Sequence, residues 1–177
     1  MLARLSLAST VAIAFAIPAA AHVTLEQPQA AVGAPYKAVF TVPHGCGGSA
    51  TVRLRVQIPD GIIAVKPMAK PGWQIEITRG AYAKPYSLTH GAKLTEGTKE
   101  VTWTGNLPDN LFDQFVLSTF IATDLPAGRM LYFPVVQECE KGMHRWVGIP
   151  SGDHTNNDRD EPAPGVMLID KQPSSHN

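Results

Sequence analysis

Six histidines, two cysteines and three tryptophans carry most of the donor chemistry of this 177-residue chain. One histidine stands apart by position. His22 directly follows Ala19-Ala20-Ala21, which has the A-x-A form of a signal-peptide cleavage site. Cleavage there makes His22 the first residue of the mature chain. Its free α-amine and its imidazole then lie on one residue and can chelate a single metal ion. Borderline nitrogen donors favour Cu(II), which tops the affinity order of the divalent first-row metals.

The neighbours of His22 suggest a third donor. Val23-Thr24-Leu25-Glu26 alternates apolar and polar residues. His22, Thr24 and Glu26 would therefore share one face of a strand. Glu26 could offer a carboxylate, and a solvated edge carboxylate is its plainer reading. Trp146, in Arg145-Trp146-Val147-Gly148, is either a core indole or a shield that meets the metal through its π face. His44 is the best reserve ligand, two residues before Cys46 in a glycine-rich loop, and His144 is the next. His90 and His154 read as surface or loop residues. No His-x-His or clustered Cys/His spacing occurs. Met68, Met130, Met143 and Met167 are isolated, so a methionine-rich Cu(I) cluster is not indicated.

Cys46 and Cys139 are the only cysteines. In an exported chain such a pair reads first as one disulfide. It would close a loop worth roughly 4–5 kcal/mol by chain entropy. A thiolate metal site that includes His44 is the competing reading.

The export signal has its expected zones. Arg4 gives the basic start, Leu5 to Ile17 is apolar and uncharged, and Pro18 precedes the alanines. The apolar run is short for a membrane span. Residues 1–21 are therefore read as a signal peptide, and the mature protein as periplasmic or extracellular with no stable membrane span. Removing 21 of the 177 residues leaves 156, enough for one domain with a real core. Lys+Arg and Asp+Glu are equal at 15 each over the whole chain, so there is no basic excess to hold nucleic acid. There is no Gly-x-Ser-x-Gly elbow, no phosphate-binding glycine loop and no His-Glu-x-x-His. An enzyme is not expected.

The elements that must position these residues are strands. Val52, Leu54, Val56 and Ile58 alternate with Arg53, Arg55 and Gln57, and Pro59-Asp60-Gly61 ends the run with turn residues. Trp73-Ile75-Ile77 and Val101-Trp103 alternate in the same way. Tyr36–Val42, Phe112–Ala122, Met130–Val136 and Arg145–Ile149 complete the set. Proline and glycine punctuate the gaps, among them Pro43, Pro71-Gly72, Pro85, Pro108 and Pro126. This pattern predicts an all-β fold, an antiparallel β-sandwich of immunoglobulin type. The sandwich is expected over residues 22–150. Residues 151–177 form a polar tail, with a mobile stretch from Ser151 to Pro164 and a short docking strand over Val166–Ile169. Leu107–Phe115 is the one segment expected to hold a helical turn.

Taken together these motifs resemble the YcnI-like family of exported copper-binding domains, also catalogued as a domain of unknown function. The resemblance rests on His22-Val23-Thr24-Leu25, Val32-Gly33-Ala34-Pro35-Tyr36-Lys37 and Val42-Pro43-His44-Gly45-Cys46. It continues in Arg55-Val56-Gln57-Ile58-Pro59-Asp60-Gly61, Lys70-Pro71-Gly72-Trp73, and Gln137-Glu138-Cys139-Glu140-Lys141-Gly142 followed by Arg145-Trp146. It implies a Cu(II) site built on His22, with a carboxylate nearby and Trp146 against the metal. Related sequences often place a glutamate a few residues beyond Glu26, where this chain reads Pro28-Gln29-Ala30. Glu26, Gln29 and His44 are thus the candidates for further ligands. The resemblance implies copper storage, delivery or tolerance, with copper transporters or periplasmic copper chaperones as partners. The alternatives are a copper oxidase of the polysaccharide-cleaving type and a metal-free structural or adhesive sandwich.

Overall fold

The computed structural model describes residues 22–88, 93–149 and 161–171. The expected signal peptide and most of the Ser151–Pro164 stretch lie outside the described residues.

Among the described residues, twelve strands form three sheets. The first sheet holds β1 (Thr24–Leu25), β3 (Pro35–Val42), β8 (Asp113–Ile121) and β5 (Ile62–Pro67), in the order β1-β3-β8-β5. The second holds β11 (Met143–Trp146), β10 (Val135–Cys139), β4 (Thr51–Gln57), β7 (Lys93–Leu107) and β6 (Gln74–Ser87), in the order β11-β10-β4-β7-β6. A small third sheet orders β2 (Gln29–Ala31), β12 (Gly165–Ile169) and β9 (Met130–Tyr132). All pairings are antiparallel except that of β12 with β2. No described helix is long and apolar enough to cross a membrane.

Alternation places the core. Leu54 and Val56 of β4, Ala38, Phe40 and Val42 of β3, and Val101 and Trp103 of β7 point between the two large sheets and are fully buried. Phe40 meets Phe133 and Trp103 meets Phe115 edge to face, so aromatic rings tie the layers together. One departure from strict alternation matters. Thr51 and Leu54, three residues apart, are both buried. A register irregularity between Thr51 and Arg53, where β4 pairs with β7, turns Thr51 inward as well.

Four sequence expectations change in detail. Leu107–Phe115 holds no helix. Leu107 ends β7, Asp113 opens β8, and the tight turn between them is closed by the Leu111 amide donating to the Pro108 carbonyl. Pro85 lies inside β6 and does not end it, because β6 is an edge strand and the ladder shifts between Ala81 and Tyr86. The Met130–Val136 run splits at Phe133-Pro134 into β9 and β10, which belong to different sheets. β12 is the middle strand of its sheet, with Val166 and Leu168 fully buried, and Ala163 is also buried before it. The docking strand expected over Val166–Ile169 is thus β12, and residues 163–169 pack into the sandwich.

Candidate metal centre

β1 is an edge strand of the first sheet and β11 an edge strand of the second. His22 precedes β1, and Trp146 ends β11. The sandwich brings these two edges together, with the His22 imidazole and the Trp146 indole edge to face at 5.2 Å between centroids, 67° between planes. Trp146 is buried, and His22 is half-buried. Val23 beside His22 is buried in the main core, which anchors the start of the strand.

Strand pairing begins at Thr24, opposite Thr41. His22 thus lies outside the ladder, and strand alternation does not fix its side chain. Glu26 has a different neighbourhood. It is exposed, and its carboxylate accepts a hydrogen bond from Gln114 Nε2 at 3.2 Å. No ion pair joins it to His22 among the described residues. Tyr36 secures the segment that follows, because its hydroxyl donates to the Gln27 carbonyl at 2.7 Å. Gln29 is exposed and lies on β2, in the third sheet.

A second histidine meets the same indole. His144 stacks on Trp146 at 5.0 Å, with 28° between planes. It lies on the face of β11 that Trp146 also uses, since the two are separated by two residues. Glu161 holds it, with Oε1 2.6 Å from His144 Nδ1, and the other carboxylate oxygen accepts from the Arg145 amide at 2.7 Å. Glu161 therefore caps an exposed N–H of the edge strand as well as fixing the imidazole.

The disulfide sits on the same side of the second sheet. Cys46 and Cys139 are bonded across a sequence separation of 93, with Cα atoms 5.9 Å apart. Both sulfurs are thereby removed from metal binding, which excludes the thiolate alternative. Gly45 is required beside Cys46, because a Cβ there would come within 1.9 Å of the Ser49 carbonyl oxygen. The Ser49 hydroxyl donates to the Lys141 carbonyl at 2.9 Å, tying the loop to the Lys141-Gly142 turn that leads into β11. Gly142 takes a left-handed φ of 86° in that turn. His44 is turned to its own loop, with Nδ1 2.6 Å from the Gly45 carbonyl oxygen.

The residue that sequence reasoning passed over is Gln137. It is buried on the inner face of β10, between Val135 and Cys139. Its amide nitrogen donates to the His44 carbonyl and to Thr51 Oγ1, both at 2.8 Å, and its oxygen accepts from Trp146 Nε1 at 3.2 Å. The available signal was its position, a polar residue in the inward row of an otherwise apolar strand.

The donor set can be tested against copper on these contacts. Among the described residues no group of three or more His, Cys, Asp or Glu side chains converges. Of the candidate donors, the His22 imidazole is the one that meets the buried Trp146 edge to face. The arrangement does not fit a cage of several histidines.

The fold and the edge-strand site define an immunoglobulin-like β-sandwich. A crystal structure of an uncharacterised protein from Nocardia farcinica, described as having an immunoglobulin-like fold, superposes with a TM-score of 0.61 and 24% identity. The match covers 84% of this chain and 98% of that one. No curated protein gave a significant match. Residues 22–168 match the family described as a domain of unknown function, DUF1775. The chain belongs to that family.

Proposed function

We propose that this protein is an exported copper-binding module that holds Cu(II) through the amine and imidazole of a mature N-terminal His22. The observation that carries the reading is the packing of His22 against the buried Trp146, at the join of the two sheet edges. A terminal residue is ordinarily the least restrained part of a domain. Here it is anchored by Val23 and rests on an indole that is itself held on three sides. The family match begins at residue 22, which supports a domain whose first residue is this histidine. Bound copper would supply a Lewis acid and a one-electron redox couple.

Each residue of the chain has a defined part. His22 supplies two nitrogen donors. Trp146 excludes water from one side and offers its π system to a cation. Glu26 lies within the same N-terminal segment and adds negative charge to it. With two donors from His22, a bound ion would have room for water or a partner's donors, which would suit a carrier that must give up its ion. Storage, delivery or tolerance of copper in the periplasm or outside the cell follows. Copper transporters and periplasmic copper chaperones are the partners such a carrier would meet. Titration of the mature protein with Cu(II), read by isothermal calorimetry, tests the reading. One equivalent bound by the chain starting at His22, and none when His22 is alanine, is expected. No saturable binding would leave the metal-free structural sandwich.

A further inference from the structure

A buried amide is costly unless every polar atom finds a partner. Gln137 is 1% exposed. Its partners come from three separate elements: the loop before Cys46, strand β4 and strand β11. The pattern admits one orientation. Rotated by half a turn, the amide nitrogen would face the indole N–H and the oxygen would face the His44 carbonyl, donor against donor and acceptor against acceptor. The amide is thus locked, and it offers the Trp146 N–H one place to bond.

That bond acts on the candidate site at one remove. Trp146 carries His22 against its ring at 5.2 Å and His144 stacked at 5.0 Å. An apolar side chain would fill the same row between Val135 and Cys139 equally well. It would leave the indole N–H without its acceptor and remove the one polar contact that fixes the ring's setting. We infer that Gln137 is the positioning residue of the metal site, setting the Trp146 indole against which His22 is held. The copper arm of this inference rests on the function proposed above, while the positioning arm does not.

Fluorine NMR of metal-free protein labelled with 5-fluorotryptophan reads the positioning directly. The chain has three tryptophans, and Trp146→Phe assigns the signal of interest. In Gln137→Met the Trp146 resonance is expected to shift and broaden while those of Trp73 and Trp103 hold. If Gln137→Met fails to fold, Gln137→Asn keeps an amide in the slot, one methylene short of the indole, and is read in the same way. An unchanged Trp146 resonance overturns the inference. Cu(II) titration then reads the link to the site. Gln137→Met is expected to weaken binding about three- to tenfold, the scale of one buried hydrogen bond. The same substitution in the Trp146→Phe background is expected to change nothing further. An equal loss in both backgrounds overturns action through Trp146. If the wild-type protein binds no copper, the copper reading fails, and the fluorine spectrum still decides whether Gln137 holds the indole.

Discussion

His22 meets Trp146 edge to face although the two residues come from edge strands of different sheets. Trp146 therefore reports on anything bound at His22. Cu(II), a paramagnetic ion, is expected to quench tryptophan fluorescence and to saturate near one equivalent. Trp146→Phe should remove most of that change, because Trp103 is wholly buried between the sheets and Trp73 packs against Phe115. Steady-state emission during titration checks this, and quenching that survives in Trp146→Phe would place the ion elsewhere.

Glu26 and His22 are expected to separate in a mutational series. Glu26→Gln keeps an acceptor for Gln114 and removes one charge, so its effect on Cu(II) affinity should stay below the roughly tenfold that marks loss of an outer-shell partner. His22→Ala removes a chelating nitrogen and should exceed the roughly hundredfold upper end of that range. Competition against a chromophoric chelator measures both. Equal losses would make Glu26 a ligand of the same rank as His22.

The Cys46–Cys139 bond closes a 93-residue separation and anchors the loop that accepts the Gln137 amide. Replacing both cysteines with alanine should lower unfolding free energy by up to about 4–5 kcal/mol, the chain-entropy value for a loop of this length. Urea unfolding followed by far-UV circular dichroism measures it. A midpoint equal to wild type would show that the bond contributes nothing to the native state.

Tyr36 gives the protein an alkaline limit. Burial pushes its hydroxyl up to about 12 from 10.0. The folded state therefore holds this proton more tightly than the unfolded chain. As pH rises from 10 through 12 the unfolded chain gives up this proton first, so stability is expected to fall across that window. Tyr36→Phe should flatten stability against pH in that window. It should also cost about 1 kcal/mol at neutral pH through the lost bond to the Gln27 carbonyl. Urea midpoints at pH 7 to 11 test both effects, and an unchanged alkaline slope would contradict the assignment.

The large sheets were legible in the sequence because their inward rows alternate. Arg53, Arg55 and Gln57 alternate with the buried Leu54 and Val56, as the structure shows. The edges were less legible. Pro85 reads as a breaker, yet an edge strand needs no N–H at every position. The apolar run Val166–Ile169 was legible as a docking strand, but its central place was not, because that depends on pairing with the distant β2 and β9. The disulfide was readable from a lone pair of cysteines. Gln137 was not, because its role depends on three partners that only the folded β10, β4 and β11 bring together.

Under the proposed function, copper is held by the amine and imidazole of one terminal histidine. Electron paramagnetic resonance of the protein beginning at His22, loaded with one equivalent of Cu(II), tests it most directly. The same spectrum is recorded for a protein with one extra residue before His22, whose amine is then an amide. Superhyperfine coupling to at least two nitrogens is expected in the first protein, and in the second a changed spectrum with weakened binding. Identical spectra and equal affinity in the two proteins would contradict that mode of binding.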